Sequence, residues 1–463
     1  MKIKISNLGA IGEGVVDLSK RVTLLCGYNG TGKTYFSYVV YALFRNRLHI
    51  KGDDKLVDQL LNDKTAKLSI NFKLLAAYRQ HMLDAVVHGI DDLFGIGSET
   101  AQKLFSSFRM EYVETEEEMN RQVKEAAVKS TLHIQGGVEV TLTKKAGEEE
   151  LTLQIQNENV PNEAVMGLRF FLSSATFHTL AVYPINETDV FPVERNSIYT
   201  FSKELSIRKQ EAMDNFQMMI NKDKKINKFD ILFNSKRYPL PIKDGLLIAE
   251  DLAEIKKNQS EFYEFAEKLE EELLQGRVQI SNDGEIQFKP QRALRTVLPI
   301  QMTASIIKTL SSLVVYLKHI AKPNDLIIID EPEINLHPDN QIILARLLAR
   351  LANKGFRLWI STHSDYIIRE FNNLVMLSHK ETKAVKRVAD ENGYKEDEYI
   401  EQSELAVYFF GYKNKTAKKV SVIPVPVAEN GFEISSIDEV INRQNDISEA
   451  LFYAWKYGEE KDT

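Results

Sequence analysis

Apolar positions recur with two different periods along this chain, and the change of period marks its elements. Near the start, KIKISN and EGVVDL read as short strands joined by a glycine-containing turn. RVTLLCG is a more strongly apolar run, the pattern of a buried strand. After GYNGTGKT the period changes, and Phe36, Val39, Val40 and Leu43 recur at helical spacing. Strand, loop and helix therefore follow one another within the first 45 residues.

Further on, LLAAYRQHMLDAVVHGIDDLF has the spacing of an amphipathic helix. STLHIQGGVEVTLTKKAGEEELTLQIQ predicts antiparallel strands, with turns at Gly136–Gly137 and Ala146–Gly147. Glu163–Leu180 reads as a helix, and AVYPINETDVFPVER holds one or two strands. Residues 202–275 are mostly helical and polar. Within them Ile255, Gln259, Phe262, Ala266, Leu269 and Leu273 are spaced alternately four and three apart. Such a seam suits either a helix packed on its own domain or a helical arm for self-association. GRVQISNDGEIQFKP predicts a hairpin, with Asn282, Asp283 and Gly284 as left-handed turn residues. A helix from Thr303 to Ile320, the buried strand DLIIID, a loop at EINLHPDNQ, the helix QIILARLLARLANKG and the strand FRLWISTHS then alternate, which implies a parallel sheet.

These elements predict an α/β fold in four segments: 1–200 as a first lobe with a β-rich region, 201–276 as a helical insertion, 277–380 as a second lobe, and 381–463 as a C-terminal segment without an assigned role. At 463 residues the chain exceeds one ordinary core. The formal net charge is −7, which does not mark a dedicated nucleic-acid binder. The one cysteine, Cys26, cannot form an intrachain disulfide and reads as a small buried residue at a strand end, in keeping with a reducing cytoplasm. No run of 18 or more apolar residues occurs, and MKIKISNLGAIGEG lacks the apolar core of a secretory leader. The expectation is a cytoplasmic protein with no membrane partner.

The candidate chemistry lies at three places. Gly27, Tyr28, Asn29, Gly30, Thr31, Gly32, Lys33 and Thr34 match G-x-x-x-x-G-K-[ST] in full, between a strand and a helix as the motif requires. Glycines let successive N–H groups point at phosphate oxygens, and the helix adds the positive end of its dipole. Lys33 would reach the β- and γ-phosphates of ATP, and the Thr34 hydroxyl would ligate Mg²⁺; Asn29, Gly30, Thr31, Gly32 and Tyr35 complete the binding stretch. Asp330 and Glu331 end the apolar run Leu326–Ile329, where a parallel sheet presents its strand ends to a ligand. Asp330 is expected to hold the Mg²⁺ shell, and Glu331 to polarise the attacking water. His363 follows the strand FRLWIS and is expected to sense the γ-phosphate.

GYNGTGKT resembles the G-x-N-G-x-G-K loop of ABC-type ATPases of the SMC, RecF and OLD group. IIIDEPEINLHPDNQ looks like the D-E-P-E-x-x-L-H-P-x-x-Q segment of OLD-like, ATPase-only proteins met in bacterial phage-defence operons, of which systems of the PARIS or Septu kind are the nearest picture. WISTHSDYII is similar to their switch-histidine segment, and FPVERNSI to their P-A-E-R stretch. The resemblance implies an ABC-type P-loop head that closes as a homodimer, or a higher homo-oligomer, around ATP. It places Ser305 at the signature position that touches the partner's γ-phosphate, although Ile306 stands where glycine is usual. It places His337 and Asn340 in the loop crossing the dimer interface, and Glu194 and Arg195 near the Q-loop region, where a buried ion pair is the other reading.

The same resemblance implies a separate effector, a Toprim or HNH nuclease encoded nearby. Only about 100 residues follow His363, and no D-x-D carboxylate pair occurs among them, so no nuclease is expected in this chain. Two lysine clusters, Lys222/Lys224/Lys225/Lys228 and Lys413/Lys415/Lys418/Lys419, leave DNA open as a partner; the second follows Tyr408, Phe409, Phe410 and Tyr412, and aromatics beside lysines can grip nucleic acid. A DNA-repair or chromosome ATPase of RecF or SMC kind is the alternative reading. A transporter ATPase is disfavoured by the absence of an LSGGQ-type signature.

Overall fold

The structure is a computed structural model that describes residues 1–134, 138–157, 160–200, 238–292, 296–379, 381–414 and 416–457. At its centre is a nine-stranded sheet in the order Arg109–Tyr112, Lys2–Leu8, Ile11–Asp17, Val420–Val425, Leu405–Gly411, Val22–Gly27, Arg357–Ser361, Leu326–Asp330 and Thr188–Phe191. The last five of these are mutually parallel, and the two N-terminal strands pair antiparallel at the other side.

Each parallel strand is apolar on both faces because each face meets a different core. In the strand Leu326–Asp330, Leu326 and Ile328 enter one core while Ile327 and Ile329 enter the other. The first core lies under helices Lys33–Arg45, Phe72–His88 and Asn162–Val182 and takes in a four-stranded antiparallel sheet. The second lies under helices Ser305–His319, Pro338–Asn353 and Asp365–Met376. Trp359, fully buried, joins the sheet to the helix Lys33–Arg45: its indole N–H donates to Ser37 Oγ at 2.9 Å, and its ring lies nearly parallel to Phe36.

Several expectations change. The helix Ala164–Val182 is long and apolar enough to cross a membrane by composition, yet Leu168, Leu172 and Leu180 are buried in the first core, as in a core helix of a globular fold. The seam Ile255–Leu273 does not form one arm. It is divided between the helices Leu252–Ile255 and Tyr263–Leu269 and a π-helical turn, Glu270–Leu274. Phe262, Ala266 and Leu269 are buried in the second core, with Tyr263–Leu269 packed on Ser305–His319, so the seam's apolar side is spent within its own chain. Residues 201–237, including Lys222, Lys224, Lys225 and Lys228, lie outside the described residues, as does the Gly136–Gly137 turn.

The hairpin Gly276–Ile280 and Ile286–Pro290 is present, but of its three turn residues only Gly284 takes a positive φ, +80°. The loop at EINLHPDNQ is shorter than its sequence suggests, because Pro338 starts the next helix. Two C-terminal strands, Leu405–Gly411 and Val420–Val425, sit inside the sheet, between the P-loop strand and the N-terminal hairpin. This places Tyr408 and Phe410 in the first core, where they cannot stack on bases; Tyr412 alone of that group is exposed, and Lys415 lies outside the described residues.

Candidate nucleotide site

Sheet order builds the site. The strand Arg357–Ser361 lies between Val22–Gly27 and Leu326–Asp330, with Asp330 opposite Ser361 and Ser361 opposite Leu25. The loops after all three strands thus leave the sheet side by side, at its carboxyl edge.

The P-loop turns where only glycine fits. Gly27 has φ +134°, and a Cβ there would lie 2.3 Å from the carbonyl oxygen of Phe410 on the adjoining strand. Gly32, at φ +92°, is the N-cap of helix Lys33–Arg45 and gives it no side-chain cap, so the first amides of the helix remain available to an anion. Thr31 Oγ1 donates to the Tyr28 carbonyl at 2.7 Å and braces the loop. Lys33 is buried, and its ammonium donates to the carbonyls of Gly27 and Tyr28 at 3.2 and 3.0 Å. Burial pushes its pKa down, and the nearby Glu331 carboxylate opposes that. Asn29 and Gly30 form the exposed tip. Tyr35 turns its ring onto Phe94 and Phe105, at centroid distances of 4.6 and 6.2 Å.

Thr34 and Asp330 meet although 296 positions separate them: Thr34 Oγ1 donates to Asp330 Oδ2 at 2.7 Å. The other oxygen of the buried Asp330 accepts from Ser361 Oγ. A hydroxyl and a carboxylate oxygen side by side are hard donors of the kind Mg²⁺ takes, and Mg²⁺ commonly needs only one or two protein ligands beside substrate phosphates. The donor set therefore fits the magnesium that an ATPase of this kind implies.

Glu331 occupies an unusual backbone position, with φ +44°. Its N–H donates to the Ser361 carbonyl at 3.0 Å. From the other side Arg195 holds the turn. Arg195 is buried, and its guanidinium donates to the carbonyls of Pro192 at 3.0 Å, Asp330 at 2.8 Å and Glu331 at 3.0 Å. Burial lowers its pKa to about 10, against the pull of Glu333, Asp330 and Glu331, so it stays charged at neutral pH. The reading of Glu194–Arg195 as a buried ion pair does not describe this arrangement; Arg195 is a clamp on main-chain carbonyls.

His363 approaches Glu331, Nε2 to Oε1 at 3.5 Å. Burial, with the Lys33 charge, lowers the histidine pKa to about 4, while burial and Asp330 raise that of Glu331. At neutral pH the imidazole is uncharged, so this is a polar contact and not an ion pair. Glu333 fixes the segment: its Oε1 accepts from the His363 N–H at 2.6 Å and from Thr362 Oγ1 at 2.9 Å. Cys26, beneath the loop, is fully buried, and its thiol is pushed up to about 12.

Gly27, Lys33, Thr34, Asp330, Glu331 and His363 are thus brought together in one chain. Ser305 stands apart, exposed at the first turn of its helix. His337 is exposed and caps the helix Pro338–Asn353, and Asn340 lies in that helix's first turn. Sequence reasoning missed Ser361 and Glu333. Their signals were the serine ending FRLWIS and the second glutamate of D-E-P-E.

A mixed α/β sheet with a P-loop after one parallel strand, and Asp330 and Glu331 at the end of another one strand away, defines a P-loop ATPase head. A family model described as AAA ATPase domain (AAA_15) matches residues 1–368, and the chain belongs to that family of ATPases. No curated protein matches the sequence. Among solved structures, an SMC head bound to the C-terminal winged-helix domain of ScpA is 14% identical at a TM-score of 0.36, covering 92% of this chain and 98% of that one. The SMC head domain from Thermotoga maritima is 12% identical at a TM-score of 0.32, covering 92% and 98%. The Smc head domain with an extended coiled coil, bound to the C-terminal domain of ScpA derived from Pyrococcus furiosus, is 13% identical at 0.33, covering 96% and 98%.

Proposed function

We propose that this protein is an ATP-hydrolysing molecular switch whose heads dimerise around nucleotide and control a separate effector, a nuclease encoded nearby, in a defence system against phage. The observation that carries the ATPase reading is the direct Thr34–Asp330 bond, with Glu331 and His363 at the same sheet edge. The P-loop amides and Lys33 bind the triphosphate. Thr34 and Asp330 would hold magnesium, which when bound would neutralise charge on the phosphates. Glu331 orients the attacking water and accepts its proton, and the strained turn that presents it is held by Arg195 and Ser361. His363, uncharged at neutral pH, would turn its single ring N–H from the Gly27 main chain to the γ-phosphate.

The exposed Ser305 and His337 suit contacts to a second copy, His337 serving its own head only as a helix cap. A ligand biases such a switch only through different contacts in its two states, and a phosphate bound between two heads provides them. The defence role rests on the resemblance of D-E-P-E-I-N-L-H-P to OLD-like proteins. The nuclease step belongs to the partner, and the whole assembly works in the cytoplasm.

The test is purification of Glu331→Gln with ATP, alone and with the product of the adjoining reading frame. Co-elution of that product with an ATP-trapped dimer supports the switch. ATP-dependent retention of duplex DNA by this chain alone would favour a repair or chromosome ATPase instead. Wild-type phosphate release by Glu331→Gln would overturn the catalytic assignment.

A further inference from the structure

A second cavity lies at the opposite end of the parallel strands from the nucleotide site. It has a volume of about 420 Å³ and sits among the end of the P-loop helix, the antiparallel sheet and the helix Asn162–Val182. That volume is within the range of small-molecule sites.

One wall is aromatic. Phe170 and Phe171 are each half exposed, at 51% and 50%, although they belong to the helix whose other side fills the core. The Phe170 ring lies 4.3 Å from that of His49, nearly parallel, and meets Phe171 edge-on at 5.2 Å. The other wall is cationic. Arg47 and Lys322 both approach a single carboxylate, Glu187, Lys322 at 3.9 Å. Among the residues that line the space two cations meet one carboxylate, with Asp325 behind the Glu187 loop.

Three elements join this cavity to the nucleotide site. The helix Lys33–Arg45 starts at the P-loop and runs straight into Arg47 and His49, roughly 20 Å away at helical rise. Lys322 precedes the strand that ends at Asp330. Glu187 precedes the strand Thr188–Phe191, beyond which Arg195 clamps Glu331. The two loops are also tied to each other, with Leu326 N donating to the Glu187 carbonyl at 2.8 Å and Glu187 N to Asp325 Oδ1 at 3.1 Å. Glu187 and Lys322 thus lie in loops bonded to each other, each leading into a strand whose far end lies at the nucleotide site.

We propose that this cavity binds a small aromatic anion, a planar ring bearing a phosphate or carboxylate, and that its occupancy sets the rate of ATP turnover. The ring covers Phe170 and Phe171, and the anion displaces Glu187 from Lys322. Binding energy is then converted into a shift of the loops that begin two strands of the active site.

The probes are 2-naphthyl phosphate and 2-naphthoate, titrated calorimetrically into the full chain with its P-loop saturated by a non-hydrolysable ATP analogue. One site per chain is expected, and the tighter of the two probes identifies the anion. Lys322→Gln and Phe171→Ala, each with an unchanged melting midpoint, should weaken binding by about fivefold or more. Saturating probe should change wild-type turnover by about twofold or more, in either direction, and leave Lys322→Gln unaffected. No saturable binding, or equal affinity in both variants, overturns the site. Binding with unaltered turnover overturns the control. The turnover arm rests on the ATPase reading, but the calorimetric arm does not, so a chain that failed to hydrolyse ATP would still decide the cavity.

Discussion

Replacing Arg195 with alanine tests whether a buried clamp, rather than the motif residues alone, sets the catalytic geometry. The guanidinium satisfies carbonyls of Pro192, Asp330 and Glu331 at 2.8–3.0 Å in a site closed to solvent. Leaving a buried acceptor unpaired costs about 1–3 kcal/mol. Some of the three will find new partners, so a net loss of ~3 kcal/mol in unfolding free energy is expected. The second effect is local. Glu331 has φ +44°, a left-handed conformation that costs a non-glycine residue about 1–2 kcal/mol. With its carbonyl released, the turn is free to relax and carry the carboxylate out of place. A displacement of about 1 Å at a reacting group can lower a rate by about 100-fold. Arg195 makes none of its hydrogen bonds to the P-loop, so ATP affinity should stay within about threefold of wild type. The assays are phosphate release under saturating ATP, calorimetric affinity for a non-hydrolysable analogue, and urea unfolding. Arg195→Lys should fall between, because one ammonium cannot span the fork of carbonyls that the planar guanidinium reaches. Wild-type turnover in a destabilised Arg195→Ala protein would refute the argument; so would loss of turnover matched by equal loss of nucleotide affinity.

Further outcomes follow from the same geometry. Lys33→Ala removes the ammonium held inside the P-loop and should weaken ATP binding by about 100-fold, read by calorimetry. Glu331→Gln should slow phosphate release by about 100-fold or more while ATP still binds, and should accumulate an ATP-bound dimer on size exclusion. His178 is buried beside Tyr78, and burial with the Arg47 charge lowers its pKa from 6.5 to about 4. Between pH 6.5 and 4 the unfolded chain then binds a proton that the folded chain refuses, so stability falls as pH falls through that window, by at most ~3 kcal/mol from this group. His363 acts in the same direction but is partly solvated and contributes less. His178→Gln should therefore flatten the drop in melting midpoint between pH 7 and pH 4.5, and an unchanged slope would remove His178 from the account.

The P-loop, the run into Asp330–Glu331 and the segment around His363 were legible because each is continuous in sequence: its backbone requirements and side chains fall within a few positions. Helices with clear spacing, such as Lys33–Arg45 and Ser305–His319, were legible for the same reason. Strand partners were not, since alternation says which residues are buried but not against what. Only the folded sheet put Leu405–Gly411 beside the P-loop strand, which buried the Tyr408 and Phe410 rings that sequence alone offered as a nucleic-acid grip. The seam at Ile255–Leu273 left two readings open for a related reason: its apolar residues mark one face without naming the partner, and packing on Ser305–His319 decided for its own domain over an arm. Arg195 shows the limit most plainly. Nothing adjacent to it in sequence reveals that its charge is spent on main-chain carbonyls 135 and 136 positions away, because carbonyls are the same at every residue and only tertiary structure decides which ones a buried guanidinium meets.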